Sequence, residues 1–291
     1  MSKQALSNGL TSALFALLLS ACVGSSDGGE ISNHRLLFSD ALLEINDEYF
    51  FSCLKEQDVT YADQVIHIFC TDELITSLKG VELFPSLESL VIFDSIITSI
   101  DISQNTELTS IHIWDALLTT INVTKNTKLT LISLAFNQLT SINLTRNTEL
   151  IILFLSYNQL KSINLEQNKE LNYLTLDNND LVNIDLTSNK KLFGIDLNFN
   201  QLLEIDLSYN TDLAEIDLNS NQLTSLDLIK NTKLIEVNLS HNLLAKIDLA
   251  NNNELSQIKL SSNQLINIEL TANKELTLLD ISENNLSSIN V

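Results

Sequence analysis

Apolar positions along this chain return at a fixed spacing. From Leu129 the order is Leu129, Ile132, Leu134, Asn137, Leu139, Ile142, Leu144 and Asn147, and the same order starts again at Leu150. Asn105, Asn126, Asn147, Asn168, Asn189, Asn210, Asn231, Asn252 and Asn273 mark a period of 21 residues. Such self-similarity is the signature of a solenoid, in which each unit covers the core of its neighbour. The unit also repeats internally, since Leu129, Ile132, Leu134 and Asn137 are echoed by Leu139, Ile142, Leu144 and Asn147. Within each half a period of two sends Ile132 and Leu134 inward with Ser133 outward, then Ile142 and Leu144 inward with Asn143 outward. Two short strands per coil are therefore expected. About ten coils at roughly 4.8 Å each would make a rod about 50 Å long. The asparagines fall where the chain turns inward, where an amide can satisfy backbone groups that a corner leaves unpaired.

The pattern LxxIxLxxNxLxxIxLxxN resembles the leucine-rich-repeat family in its short bacterial form. The register holds through Leu108, Leu171, Leu192, Leu213, Leu234 and Leu255 and runs into a last unit at Leu276, Leu279, Ile281, Asn284, Leu286 and Ile289. Two earlier units are degenerate. One has Leu87, Leu90, Ile92 and Ile97 with Ser95 at the asparagine site; the other has Val65, Ile68, Cys70, Ile75 and Leu78 after a one-residue insertion near Gly80. The resemblance spans residues 65–291 and implies an α/β-type repeat solenoid, mostly β. It would be a curved stack of parallel strands with about ten full repeats, a truncated last one and a concave sheet used for binding. The sequence is still in the repeat at Ile289 and Asn290, so an open last coil is expected to expose a strand edge. An end-to-end contact there, a tolerably polar coil, or a fragmentary sequence are the three readings.

Before the repeats, Phe38, Leu42, Ile45 and Tyr49 stand at helical spacing, with Ser39 or Asp40 as candidate N-caps. Residues 35–64 thus read as a small helical N-terminal cap over the first coil. Still earlier, Lys3 precedes an apolar stretch from Leu10 to Leu19, too short to span a membrane and of the size of a signal-peptide core. Leu19, Ser20, Ala21 and Cys22 resemble the lipobox of bacterial lipoproteins. That resemblance makes residues 1–21 a lipoprotein signal peptide, Cys22 the lipid-attachment residue and residues 22–34 a flexible tether. Val23, rather than an aspartate, after the cysteine implies the outer membrane or cell surface. The alternative is an ordinary secretion signal with a chance cysteine. With Cys22 acylated, Cys53 and Cys70 remain, and outside the cytoplasm such a pair reads as a disulfide that clamps the cap; free thiols are the alternative.

A formal charge of −21 makes nucleic acid and bare anionic lipid poor partners, so membrane contact is expected through the N-terminal lipid alone. None of His34, His67, His112 and His241 shares metal-ligand or triad spacing with a cysteine or carboxylate. No catalytic residue, metal site or cofactor is assigned, and the chain is not read as an enzyme. An outward series, Asp101, Asn122, Asn143, Asn164, Asp185, Asp206, Asp227, Asp248, Glu269 and Asn290, reads as a solvated acidic face, with calcium as the competing reading.

The other outward face carries more information. Its early coils offer Phe93, His112, Trp114, Leu131, Ile152, Phe154 and Tyr173, and its later coils Asp196, Glu215, Asp217 and Glu236. An aromatic patch holding the only tryptophan, bordered by acids, has the anatomy of a binding hot spot. The expectation is a lipid-anchored extracytoplasmic protein that binds a protein partner through this face, in adhesion or envelope interaction. A carbohydrate-binding surface protein and a structural envelope spacer are the alternatives.

Overall fold

The computed structural model describes residues 35–71 and 74–290. The leader, Cys22, His34 and the tether of residues 1–34 lie outside the described residues, as does Val291. Two short helices open the chain, α1 (Phe38–Leu43) and α2 (Glu48–Leu54). Strands β1 (His67–Thr71), β2 (Ser89–Phe93), β3 (Ser110–Trp114), β4 (Leu131–Ser133), β5 (Ile152–Phe154), β6 (Tyr173–Thr175), β7 (Gly194–Asp196), β8 (Glu215–Asp217), β9 (Glu236–Asn238) and β10 (Gln257–Lys259) follow. After these come β11 (Asn267–Glu269), β12 (Leu278–Asp280) and β13 (Ser288–Asn290). β1 to β10 and β12 form one 11-stranded parallel sheet in sequence order. Register advances by one repeat per strand, as in Ile132 opposite Leu153 and Ile195 opposite Ile216. The insertion near Gly80 shows where Ile68 faces Leu90.

The expectation of two strands per coil fails for most of the solenoid. Only β11 and β13 pair in the second half of the unit. Elsewhere that half is extended chain tied to its predecessor by backbone bonds such as Gln159 N–H to the Leu139 carbonyl, 2.9 Å. Curvature is the physical reason: the inner strands stack at ladder spacing, and the longer outer arc holds neighbouring segments too far apart to pair.

The inward leucines fill a continuous core, with Leu129, Ile132, Leu134, Leu139 and Leu144 all buried. Asparagines lace its two corners. Each member of the first ladder donates to two carbonyls of the preceding coils, as Asn168 Nδ2 does to Leu144 (3.1 Å) and Asn147 (2.8 Å). In the second ladder the amide works in both directions: Asn158 Oδ1 accepts from Leu139 N–H at 2.9 Å while Nδ2 donates to Leu134, Leu155 and Ser156 carbonyls. These bonds fill the backbone valences that a corner without a ladder would strand.

The cap departs from its expected start. Leu37 occupies the N-cap position of α1 without a side-chain bond, so neither Ser39 nor Asp40 caps it. The helical spacing crosses a break, and Asp47 caps α2 through bonds from Tyr49 and Phe50 N–H. The second oxygen of Asp47 accepts from Thr76 N–H, Thr76 Oγ1 and Ser77 N–H at 2.8, 2.7 and 3.0 Å, tying the cap to the first coil. Burial works to raise this carboxyl, but its four backbone and hydroxyl donors outweigh that and hold it below the usual range. A disulfide joins Cys53 on α2 to Cys70 on β1 across 5.7 Å between α-carbons. Ile45 lies so close to Gly80 (φ 103°) that an added β-carbon there would stand 2.2 Å from its side chain. At the other end Leu278 and Ile289 are exposed.

Candidate binding face

Sheet register sorts the outward residues into columns. The first holds Ser110, Leu131, Ile152, Tyr173, Gly194, Glu215 and Glu236; the second Phe69, Val91, His112, Ser133, Phe154, Thr175, Asp196, Asp217, Asn238 and Lys259. Phe93 and Trp114 lie side by side in a third. The expected patch therefore crosses the sheet diagonally and falls into two groups. In coils one to three Phe69, Phe93 and Trp114 form an edge-to-face run with ring centroids 6.0 and 5.6 Å apart. In coils five to seven Ile152, Phe154 and Tyr173 lead to Phe193, whose ring is 5.6 Å from that of Tyr173. Tyr173 lies over Gly194, where a β-carbon would approach its ring to 3.0 Å.

His112 is not available to a partner. Val91, Ser133, Ser110 and Trp114 surround it on the face, it is 7% exposed, and burial pushes its imidazole down to about 4. Trp114 Nε1 donates to Ser133 Oγ, which pins the indole over a serine with no exposure of its own. Phe69, absent from the expected surface, is the most exposed ring of the run at 63%. Its signal was legible, since it alternates with Ile68 and Cys70 in the degenerate first coil.

The acids also differ from a solvated rim. Asp177, Asp196 and Asp217 sit on adjacent coils and are largely desolvated. Burial raises all three carboxyls, and with the charges of Asp177 and Asp217 beside it Asp196 is pushed up to about 8. Amides serve them: Asn198 Nδ2 donates to Asp196 at 2.6 Å, Asn238 Nδ2 to Asp217 at 3.0 Å and Asn178 Nδ2 to Asp177 at 2.9 Å. Glu215 is raised by burial and then by Glu236, one coil on. Asp177 lies past the end of β6, where period-two alternation assigns no face.

One more column borders the sheet. Asp94, Asp115, Phe136, Tyr157, Asn178, Phe199, Ser220, His241, Ser262 and Glu283 all have positive φ near 50°. A left-handed conformation costs a residue with a β-carbon about 1–2 kcal/mol, yet rings occupy it repeatedly. Phe136 and Tyr157 stack with 4.3 Å between centroids.

On the opposite side the acidic series has a structural task. Asp185 Oδ1 accepts from Thr187 N–H and Oγ1, Asp206 from Ser208 N–H and Asp227 from Ile229 N–H, each closing the turn before a buried asparagine. Those hydrogen bonds lower the Asp185 and Asp206 carboxyls. Among the described residues no group of three His, Cys, Asp or Glu side chains is placed to hold a metal ion. None of their helices is long and apolar enough to cross a membrane.

No family model matches the sequence, and no curated protein matches it. Solved structures do. The functional domain of InlJ from Listeria monocytogenes is 25% identical with a TM-score of 0.70, covering 87% of this chain, which spans 62% of that domain. The internalin InlF of the same organism is 20% identical with a TM-score of 0.56, covering 88% of this chain and 96% of its own. The Drosophila Toll–Spätzle complex contributes a chain 20% identical with a TM-score of 0.63, over 77% of this chain and 33% of that one. The chain has the fold of a curved leucine-rich-repeat solenoid.

Proposed function

We propose that this protein is an extracytoplasmic, lipid-anchored binding module that holds a protein partner against its concave sheet, in adhesion or envelope interaction. The carrying observation is the edge-to-face run Phe69, Phe93 and Trp114, continued after a gap by Ile152, Phe154 and Tyr173. Half-exposed rings on a rigid parallel sheet supply contact area at little entropic cost, the usual makings of a hot spot. The Toll–Spätzle complex is an instance of such a solenoid with a protein partner. The raised carboxyls of Asp196 and Asp217 suit basic side chains on the partner. Engaging a cation there displaces protons, so affinity should strengthen from pH 6 to 8.

The test is capture of a partner from envelope and host-cell extracts, followed by titration of the purified pair. Trp114→Ala should weaken binding by about 2 kcal/mol, roughly thirtyfold, mainly through faster dissociation. Asp217→Asn, which removes a largely desolvated carboxyl, should act mainly through faster dissociation. Unchanged binding by Trp114→Ala would reject the face. The anchor rests on Leu19, Ser20, Ala21 and Cys22; Cys22→Ser should abolish acyl labelling and membrane retention, and persistent labelling would reject it.

A further inference from the structure

At the edge of the sheet, beyond the aromatic groups, a shallow groove of about 590 Å³ is walled by Phe199 and His241. Both belong to the positive-φ column, and Ser220 is the member between them. Phe136 and Tyr157 offset the cost of that backbone by stacking, but Phe199 has no ring partner among the described residues and is 54% exposed. Its backbone is held by the Phe199 N–H bond to the Asn219 carbonyl, 2.9 Å, as in the other coils, but its ring is left without such a partner. The stacked pair also shows that one ring fills one coil of this column. Phe199 and His241 are two coils apart, about 10 Å at strand spacing, and the small Ser220 leaves room between them for one flat ring.

The edges of this slot are polar and, apart from the pull of the Lys259 ammonium on Asp217, unspent. The side chains of Asn219, Ser220, Ser240 and Lys259 line the groove and make no hydrogen bond to the described residues. A partner's aromatic side chain in the slot would leave those groups unpaired in a desolvated contact, at a cost. A guanidinium would meet the Lys259 ammonium, and a nucleic-acid base would bring phosphates toward a chain of net charge −21. A sugar ring meets both requirements, with an apolar C–H face for the phenyl ring and hydroxyls around its rim for amide, hydroxyl and ammonium groups.

We propose that the slot between Phe199 and His241, floored by Ser220, binds a pyranose ring of a neutral glycan, apart from the aromatic groups of the protein-binding face. The experiment is saturation-transfer NMR and calorimetry on the full chain with cellotetraose, mannotetraose and N-acetylchitotetraose, and with a tetra-arginine peptide as control. At least one tetrasaccharide should bind. Ser220→Phe should lower its affinity at least tenfold by filling the slot, and the backbone of this column already carries Phe136. Phe199→Ala keeps the β-carbon, leaves the backbone conformation as it is and should give a similar loss, which keeps the test decisive if Ser220→Phe folds poorly. Trp114→Ala should leave saccharide binding unchanged, separating this site from the aromatic groups of the protein-binding face. Binding of none of the saccharides, binding of the peptide alone, or undiminished saccharide affinity in the Phe199→Ala variant would overturn the proposal.

Discussion

The two halves of the concave sheet share a backbone and a core, and differ in what they bury on the outer face. Coil three buries a histidine among Val91, Ser110, Trp114 and Ser133; coils six to eight bury carboxyls among amides. The same physical cause, desolvation, moves His112 down to about 4 and Asp196 up to about 8. In a solenoid each coil contacts only its neighbours, so the two halves can differ in local stability along one rod. The repeat fixes where residues go, while the outward columns are free to diverge.

The largest expected difference comes from the disulfide. Its 17-residue separation corresponds to about 3 kcal/mol of constraint on the unfolded chain. Reduction should speed hydrogen exchange in β1 to β3 and leave β8 to β10 unchanged. Equal acceleration in both halves would show that the cap does not act locally. A change in the shared scaffold should instead treat the halves alike: Asn126→Ala and Asn231→Ala each strand two buried carbonyls. Each should cost about 1–3 kcal/mol in denaturant melts, and a large inequality would mean that the ladder is not uniform.

The smallest effect has the sharpest sign. Folded His112 holds fewer protons than the unfolded chain between about pH 4 and 6.5, so its half loses stability as pH falls through that window. Folded Asp196 holds more protons than the unfolded chain between about pH 4 and 8, so its half loses stability as pH rises. Exchange rates corrected for intrinsic pH dependence should therefore move in opposite directions in β3 and β7. Asp196→Asn should flatten the second slope only, and parallel slopes would contradict the desolvation account.

Much of this was legible in the sequence because the repeat reports burial directly: inward leucines, the asparagine corners and Cys70 stand where the period put them, and the pairing of Cys53 with Cys70 followed from the cysteine count. Hidden features depend on geometry between coils. Period two marked Ile142 and Leu144 as a strand pattern, but ladder formation needs a neighbour at pairing distance, which curvature removes. Period two also marked His112 as outward, and only the register shows it ringed by Val91, Ser133, Ser110 and Trp114. Positive φ at Phe136, Tyr157 and Phe199 was invisible, since aromatic residues carry no left-handed preference; their constant place before the second asparagine was the available clue. Asp47 carried the local signature of an N-cap, yet its grip on Thr76 and Ser77 is a tertiary contact that no local pattern reports.

The central claim, that the aromatic half of the concave sheet is the protein-binding face, is tested most directly by hydrogen exchange on the captured complex. The account expects protection concentrated in peptides covering Phe69, Ser89–Trp114 and Ile152–Tyr173, with the turns at Asp185, Asp206, Asp227 and Asp248 unaffected. Protection of those turns, with the three aromatic peptides exchanging as in the free protein, would contradict it.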